Sequence, residues 1–168
     1  MSGDRRSGIG YDAHRFLASG GRLVLAGVEV PGERGLEGHS DADVVAHAVT
    51  DALLGAAGLG DIGDHFPDDD PRFQGADSIG LLRAALAMLA AGGWRTVNVD
   101  VSVLAERPRL GPLKEPMAAR LAAALEVERG RVNVKATTNE RMGFVGRGEG
   151  IAALAVAQIE RDPSAGDD

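Results

Sequence analysis

Cysteine is absent from this chain of 168 residues, which excludes disulfide bridges, thiolate zinc sites and cysteine nucleophiles. Aromatic residues make up only 4% of the chain, whereas hydrophobic residues together make up 44%. The core therefore has to be built mostly from alanine, valine, leucine and isoleucine. Small core side chains favour close packing of helices on a sheet, and they are compatible with further burial between subunits.

Long apolar runs and clusters of basic residues are also missing. No stretch approaches the roughly 18 to 20 uncharged residues of a membrane span. No apolar segment follows the charged start MSGDRRSG, so we expect no signal peptide, no membrane contact and a cytoplasmic location. The net charge is −7 and the arginines are scattered, so we expect no nucleic-acid partner, although local anion sites remain possible.

The pattern of apolar residues predicts one domain, 1–168, with flexible ends at 1–6 and 161–168. Alternating residues predict strands at 7–16, 96–106 and 131–138, with a short hairpin at 23–32 around Gly27. Segment 151–160 fits a buried strand or a helix, and its flanking glycine favours the strand. Helices are predicted at 41–57, 78–91 and 113–127. The expected fold is α/β (α+β), with a mixed sheet of about four main strands and helices on one face.

Asp12 and His14 form the first candidate site, within GIGYDAHRF at 8–16. Alternate residues of a strand share one face, so the two side chains project together. They fit a surface ion pair, a buried hydrogen-bonded pair or two metal ligands. His47, on the polar arc of the first predicted helix, offers a third ligand, and two imidazoles with one carboxylate are a usual zinc set with one open position. The spacing alone leaves all three interpretations open.

The stretch GHSDAD places His39 and Ser40 at the expected start of the first helix, with Ser40 as its N-cap. A helix N-terminus presents unpaired N–H groups and a positive dipole end, which attract phosphate. The plainer interpretation is that Ser40 only caps the helix. The two interpretations are compatible.

The segment KATTNERMGFVGRGEG combines threonines, an acid and a glycine-rich loop. Thr137, Thr138 and Arg147 are suited to bind phosphate oxygens. Glu140 is suited to hold Mg²⁺, which prefers oxygen ligands shared with phosphates. A tight turn between two strands is the alternative. The acidic loop at 61–77, which contains DDDP, fits a solvated loop better than a calcium site because no regular ligand spacing follows.

Three stretches together resemble the 2-C-methyl-D-erythritol 2,4-cyclodiphosphate synthase family: GYDAHRF, GHSDADVVAHAVTDALLGAAGLGDIGDHFPDDDP and KATTNERMGFVGRGEGIAALA. The resemblance runs in order from about residue 8 to 160. It implies a phosphorus–oxygen lyase of non-mevalonate isoprenoid synthesis. In the implied reaction, the 2-phosphate of 4-diphosphocytidyl-2-C-methyl-D-erythritol 2-phosphate attacks the β-phosphorus, CMP leaves, and the 2,4-cyclodiphosphate forms.

The resemblance also implies roles for the motif residues. Zn²⁺ would be held by Asp12, His14 and His47, and Mg²⁺ or Mn²⁺ by Glu140 with the substrate phosphates. His39 and Thr138 match positions that steady the phosphates in the transition state, aided by Ser40. The remaining substrate-binding positions implied by the family are Asp61, Gly63, Phe66, Asp68 and Asp70 near the erythritol and ribose, Ala105, Pro108, Arg109, Leu110 and Gly111 around the cytosine, and Thr137.

Family members are homotrimers with active sites between subunits, so the resemblance implies sheets packed around a three-fold axis. Phe144 and Arg147 match positions beside a central cavity that can hold an isoprenoid diphosphate. Glu106 and Arg109 stand where relatives often have Gln and Lys, and DDDP stands where they often have DTDP; we expect these differences to tune affinity. Two other functions stay open: a non-catalytic isoprenoid- or nucleotide-binding trimer, and a zinc phosphohydrolase that releases free phosphate.

Overall fold

A computed structural model describes residues 4–163 as an α+β fold with one mixed four-stranded sheet and a separate two-stranded hairpin. The strands are β1 (Arg5–Arg15), β2 (Leu23–Leu25), β3 (Val28–Val30), β4 (Trp94–Leu104), β5 (Val132–Thr137) and β6 (Gly150–Arg161). The helices are α1 (Val44–Ala57), α2 (Ile62–His65), α3 (Ser78–Ala91), α4 (Lys114–Ala124) and α5 (Gly143–Gly146), with short 3₁₀ turns at Pro71–Phe73, Gly111–Leu113 and Arg129–Arg131.

The main sheet has the order β1-β6-β4-β5. Strand β6 runs antiparallel to both β1 and β4, and β5 runs parallel to β4, so the predicted mixed sheet is confirmed. The segment that fitted either a strand or a helix is β6, at the centre of the sheet. Ala155, Ala157 and Ile159 face the core there, whereas Leu154 and Val156 on the other face are 39% and 46% exposed.

Helices α1, α3 and α4 pack on one face of this sheet, as predicted. The core between the layers consists mainly of alanine, valine, leucine and isoleucine side chains, which agrees with the scarcity of aromatics. The other face exposes four large apolar side chains, and we call these four residues the open sheet face: Ile9, Tyr11, Leu154 and Val156.

Two glycines of β1 let helix α1 approach the sheet very closely. A Cβ atom on Gly8 would lie 2.0 Å from the carbonyl oxygen of Ala52, and one on Gly10 would lie 1.9 Å from that of Ala48. Gly8 and Gly10 alternate with the exposed Ile9 and Tyr11, so they share the face of β1 that also carries Asp12 and His14. Backbone therefore packs directly against backbone just before the two candidate ligands.

Helix α1 begins at Val44, three residues later than predicted, and the prediction that Ser40 is its N-cap is wrong. The N-cap is Asp43, which is fully buried and accepts hydrogen bonds from the N–H groups of Val45 and Ala46. The same carboxylate accepts the N–H groups of Ala26 and Gly27 in the β2–β3 turn. One side chain thus satisfies two groups of backbone donors. His39 and Ser40 lie in the preceding loop, so the predicted attraction of phosphate to a helix start does not apply there.

Several other boundaries differ from the sequence-based expectation. The acidic loop contains α2 and a 3₁₀ turn, and the glycine-rich loop contains α5. Arg5 and Arg6 pair with β6 in an end of the chain that we expected to be flexible. Residues 1–3 and 164–168 lie outside the described residues. Between residues 4 and 163, none of the helices combines the length and apolarity that a membrane crossing requires.

Candidate functional site

Asp12, His14 and His47 converge on one point and form a group that could hold a metal ion. Asp12 Oδ2 lies 2.8 Å from His14 Nε2 and 3.0 Å from His47 Nδ1. The two ring nitrogens are 3.3 Å apart. Ligands about 2.1 Å from a tetrahedral zinc ion would be separated by about 3.4 Å, so these three atoms need only small adjustments to share an ion.

Each imidazole engages its other nitrogen in a hydrogen bond that leaves the inward nitrogen for a metal. His14 Nδ1 lies 2.7 Å from the carbonyl oxygen of Glu37. His47 Nε2 lies 2.8 Å from Ser78 Oγ and 3.1 Å from Ser40 Oγ. Metal-bound histidines usually donate their second ring N–H in this way. The donor set, one carboxylate and two imidazoles without sulfur, suits zinc or a similar divalent ion.

The three side chains also form a favourable electrostatic group. Burial opposes ionisation of Asp12, but hydrogen bonds and charge from His14 and His47 outweigh burial and hold its pKa well below the usual range. Burial opposes protonation of His14, yet the hydrogen bond and charge of Asp12 outweigh burial and raise the pKa of this imidazole. Asp12 is therefore a carboxylate at neutral pH, the form that a metal ion requires.

A cleft of about 190 Å³ opens beside this group, and we call it the metal-ligand cleft. It brings together eight of the predicted site residues: Asp12, His14, His39, Ser40, His47, Gly63, Phe66 and Asp68. Asp61 and Asp70 do not line it. Asp61 caps helix α2, and the carbonyl oxygen of Asp70 lies 3.1 Å from His39 Nε2.

Sequence reasoning missed Asp51, which lines the same cleft. Asp51 follows His47 by one helical turn, and that spacing was the available signal. Burial raises the pKa of its carboxyl group, although the N–H of Ile62 donates to the carboxylate at 2.8 Å and opposes this effect. Asp51 thereby connects helix α1 to the short helix α2 at the rim of the cleft.

A second pocket, of about 550 Å³, lies between the loops that follow strands β4 and β5. We call it the loop pocket. Seven predicted site residues line it: Ala105, Pro108, Arg109, Leu110, Gly111, Thr137 and Thr138. Glu106 also lines it, and its carboxylate accepts the N–H of Asn139 at 3.3 Å, which ties the two loops together. Glu140 does not line the loop pocket, but its N–H donates to Thr138 Oγ1 at 3.3 Å.

The metal-ligand cleft and the loop pocket do not meet within one chain. The register of the strands shows how far apart they are. His14 of β1 pairs with Ile151 of β6, and the next residue of β6, Ala152, pairs with Leu104 of β4. Leu104 in turn pairs with Thr137 of β5. Both regions therefore lie at the same end of the sheet but on opposite edge strands. Three strand spacings separate them, about 14 Å.

The two residues predicted beside a central cavity lie at a third place. Phe144 lines a small pocket of about 170 Å³ with Ala13, Arg15 and Gly150. Arg147 forms an ion pair with Glu149, with Nε 2.7 Å from Oε1. Most of the predicted site residues thus line one of these three pockets, whereas Asp61, Asp70, Glu140 and Arg147 line none of them.

The fold and the converging ligands define a class: α+β domains with an Asp–His–His candidate metal centre at one edge of a mixed sheet. Within that class, the chain belongs to the YgbB family, which matches residues 5–160. The chain is 62% identical over 152 residues to the 2-C-methyl-D-erythritol 2,4-cyclodiphosphate synthase of Symbiobacterium thermophilum, covering 90% of this chain and 96% of that protein.

Solved structures show the same fold. The bifunctional IspDF of Campylobacter jejuni superposes with a TM-score of 0.91 and 43% identity, over 95% of this chain and 43% of that longer one. The CDP complex of IspF from Plasmodium falciparum superposes with a TM-score of 0.82 and 27% identity, over 96% and 99% of the two chains. The resemblance inferred from the sequence motifs is therefore confirmed.

Proposed function

We propose that this chain is an enzyme that converts 4-diphosphocytidyl-2-C-methyl-D-erythritol 2-phosphate to 2-C-methyl-D-erythritol 2,4-cyclodiphosphate and CMP, as a step of non-mevalonate isoprenoid synthesis. The observation that carries this proposal is the convergence of Asp12, His14 and His47 beside a cleft, in a chain that matches cyclodiphosphate synthases over nearly its whole length. The motifs of these three residues are two of the three that carried the resemblance.

We assign Zn²⁺ to this group, because one carboxylate and two imidazoles are a usual zinc set with an open fourth position. Glu140, with the substrate phosphates, would hold Mg²⁺ or Mn²⁺. When bound, the two ions supply positive charge that stabilises the phosphate oxygens as they gain negative charge. Because Asp12 and His14 lie on the edge strand β1, the diphosphate would bind at that edge of the sheet.

The side chains of the chain position the substrate for an in-line attack. His39 and Ser40 lie in the metal-ligand cleft, where they would donate hydrogen bonds to phosphate oxygens. Thr138 would donate a further hydrogen bond from the loop pocket. Phosphoryl transfer needs little covalent participation by protein, so correct placement and fixed donors supply most of the catalysis. Attack within one substrate molecule removes the need to bind a second.

The active form would be a homotrimer with its sites between subunits. The open sheet face supports this arrangement, because Ile9 and Tyr11 are 67% and 55% exposed beside Leu154 and Val156. An apolar surface of this kind is typical of a subunit contact. The separation of the two pockets supports it as well. One chain would supply the metal-ligand cleft, and its neighbour would supply Thr138 and the loop pocket.

The remaining ligand assignments follow from this arrangement. Backbone groups of the loop at 105–111 would bind the cytosine, and the segment at 61–70 would face the erythritol and the ribose. The Plasmodium protein bound to CDP supports a cytidine nucleotide as the ligand class. Phe144 and Arg147 would lie beside a central cavity suited to an isoprenoid diphosphate. The cytoplasmic location stays a prediction.

Phosphorus NMR of a single incubation tests the reaction. The protein is mixed with the diphosphocytidyl substrate, Zn²⁺ and Mg²⁺, and the products are followed over time. We expect CMP and a cyclic diphosphate in equal amounts. Free phosphate in place of the cyclic product would identify a phosphohydrolase. If the zinc-loaded protein released no CMP, the proposed function would be wrong.

A further inference from the structure

Behind the candidate metal ligands lies a chain of hydrogen bonds that leads from His47 to a second carboxylate. His47 Nε2 lies 2.8 Å from Ser78 Oγ, and Ser78 is fully buried as the first residue of α3. Ser78 Oγ in turn donates to Asp41 Oδ1. The backbone N–H of Ser78 donates to Asp41 Oδ2 at 3.0 Å. Asp41 therefore holds Ser78 through both its backbone and its side chain.

The direction of these hydrogen bonds follows from the chemistry of the three groups. A carboxylate only accepts hydrogen bonds, so the hydroxyl proton of Ser78 must point at Asp41. Ser78 Oγ then has only lone pairs to offer His47, and the adjacent ring nitrogen, Nε2, must carry a proton. Neutral imidazole has one N–H. The Asp12 carboxylate, whose Oδ2 lies 3.0 Å from His47 Nδ1, competes for that proton, and Nδ1 keeps its lone pair where Nε2–H donates to Ser78. That nitrogen is the one that faces Asp12 and His14.

We propose that Asp41 and Ser78 are positioning residues that hold His47 in the Nε2–H tautomer, with Nδ1 ready to bind a metal ion. This inference rests on metal binding by Asp12, His14 and His47, but it does not require the cyclisation reaction. Carboxylate-backed partners of metal-bound histidines fix both the tautomer and the ring orientation. Here a buried hydroxyl relays the effect of the carboxylate.

Ser40 is the competing partner of the same nitrogen. Its Oγ lies 3.1 Å from His47 Nε2 and accepts the N–H of Ala42 at 3.3 Å. The Ser40 and Ser78 hydroxyl oxygens are 3.5 Å apart. In the described residues, the hydroxyl of Ser40 has no carboxylate partner that orients its proton, so it can either donate to the imidazole or accept from it. Ser40 therefore does not select a tautomer, and Ser40→Ala is the matched control.

Nitrogen-15 NMR of labelled imidazoles reads the tautomer directly. The chain has only four histidines, so a His47→Gln variant assigns the signal of His47. Spectra are recorded without metal, at a pH above the ordinary histidine pKa of about 6.5, where free imidazoles are neutral. We expect the unsubstituted protein to show His47 with its proton on Nε2. A proton on Nδ1 would overturn the proposal, whatever the variants do.

Two substitutions then test the role of each partner. Ser78→Ala removes the hydroxyl that connects Asp41 to His47. Asp41→Asn replaces one of the two carboxylate oxygens that accept hydrogen bonds from Ser78 with an NH₂ group, so the hydroxyl proton of Ser78 is no longer held in one direction. We expect both to move His47 toward the Nδ1–H tautomer. We expect zinc affinity, measured by competition with a chelator dye, to fall about 10- to 100-fold, the usual effect of losing such a partner.

The control keeps these results separate from a general loss of structure. Ser40→Ala should leave the tautomer of His47 unchanged, and circular dichroism should show that all three variants are folded. The proposal would be overturned if both Ser78→Ala and Asp41→Asn kept the native tautomer of His47 and a zinc affinity within about twofold of the unsubstituted protein. If the unsubstituted protein binds zinc and shows the Nε2–H tautomer but releases no CMP, the proposed function fails while the positioning role stands.

Discussion

The metal-ligand cleft and the loop pocket are built in different ways. The cleft takes its ligands from the edge strand β1 and from helix α1, and all three are half-buried and hydrogen-bonded to other side chains or backbone groups. The loop pocket takes Thr137 and Thr138 from the end of β5, where both side chains are exposed. One region is organised within a single chain. The other presents its polar groups outward, which agrees with completion of the site by a neighbouring copy.

The comparison separates two tasks that one active site has to perform. Groups that bind a metal ion must be held close together, so they lie where packing fixes them. Groups that meet the substrate must be reached from solvent before the reaction starts, so they lie on loops. The proposed function requires both sets, and the predictions below test whether they are independent.

The largest effect is expected from His47→Ala. Removal of one of three ligands should abolish stoichiometric zinc binding and CMP release, because the remaining Asp12 and His14 cannot close the site. The measurement is zinc content by atomic emission after dialysis, together with the mass of the particle by light scattering. The particle should keep its size.

His65→Ala is the control for this experiment. His65 Nε2 bonds to the carbonyl oxygen of Leu59 at 2.7 Å, and His65 is not part of the ligand group. This variant should retain its zinc. Full zinc occupancy in His47→Ala would show that His47 is not a ligand, and it would contradict the assignment of metal binding to the metal-ligand cleft.

Thr138→Ala should have the next largest effect. If Thr138 donates to a phosphate oxygen in the transition state, its loss should lower kcat about 10²- to 10³-fold. Zinc content should not change, because Thr138 directly follows β5, the edge strand opposite the one that carries Asp12 and His14. Parallel measurement of kcat and zinc decides the point. A loss of zinc in Thr138→Ala would mean that the two regions depend on each other.

Mixing the two inactive variants is a sharper test of where each region acts. If each site combines the cleft of one copy with the loop of its neighbour, His47→Ala and Thr138→Ala chains can complement each other. In trimers reassembled at random from equal amounts, roughly a quarter of the sites would have both regions intact. Activity should recover to about that fraction of the unsubstituted protein. No recovery from verified mixed trimers would place both regions of a site in the same chain.

The smallest effect is expected when Asp43, the N-cap of helix α1, is replaced. Asp43→Ala leaves four backbone N–H groups, three of them buried, without their acceptor, so the free energy of unfolding should fall by about 1 to 3 kcal/mol or more. The matched control is Asp77→Ala, which removes an exposed N-cap that accepts a single N–H in α3. That change should cost about 1 kcal/mol. Chemical unfolding of both variants checks the difference, and equal losses would contradict the anchoring role of Asp43.

The same residue gives a pH dependence with a definite sign. Burial raises the pKa of Asp43 to about 6, whereas an unfolded chain has an ordinary value of about 3.9. Between these values the folded state binds more protons than the unfolded state, so the contribution of Asp43 to stability decreases as pH rises from about 4 to about 6. Asp43→Ala should remove this part of the slope. An unchanged slope would show that Asp43 does not titrate in that range.

Much of this architecture was predictable from residue patterns. Strand alternation placed Asp12 and His14 on one face, and helical periodicity put His47 on the polar arc of α1. The sequence could not show that Asp43 rather than Ser40 caps the helix, because both residues are good caps and the choice depends on the β2–β3 turn, which is distant in sequence. It also could not show the link from His47 to Ser78 and Asp41. That contact joins residues 31 and 37 positions apart along the chain and forms only when α3 packs beside α1.

The geometry of the candidate metal site depends on Gly8 and Gly10, although neither residue has a functional side chain. A methyl group at either position would force the backbone of α1 away from β1 by about 1 Å or more, since carbon–oxygen contacts below about 3.3 Å are rare. Metal–ligand distances tolerate only about 0.2 Å. His47 travels with the helix while Asp12 and His14 stay on the strand. Two positions without any side chain therefore set the distance between strand and helix on which the convergence of the three candidate ligands depends.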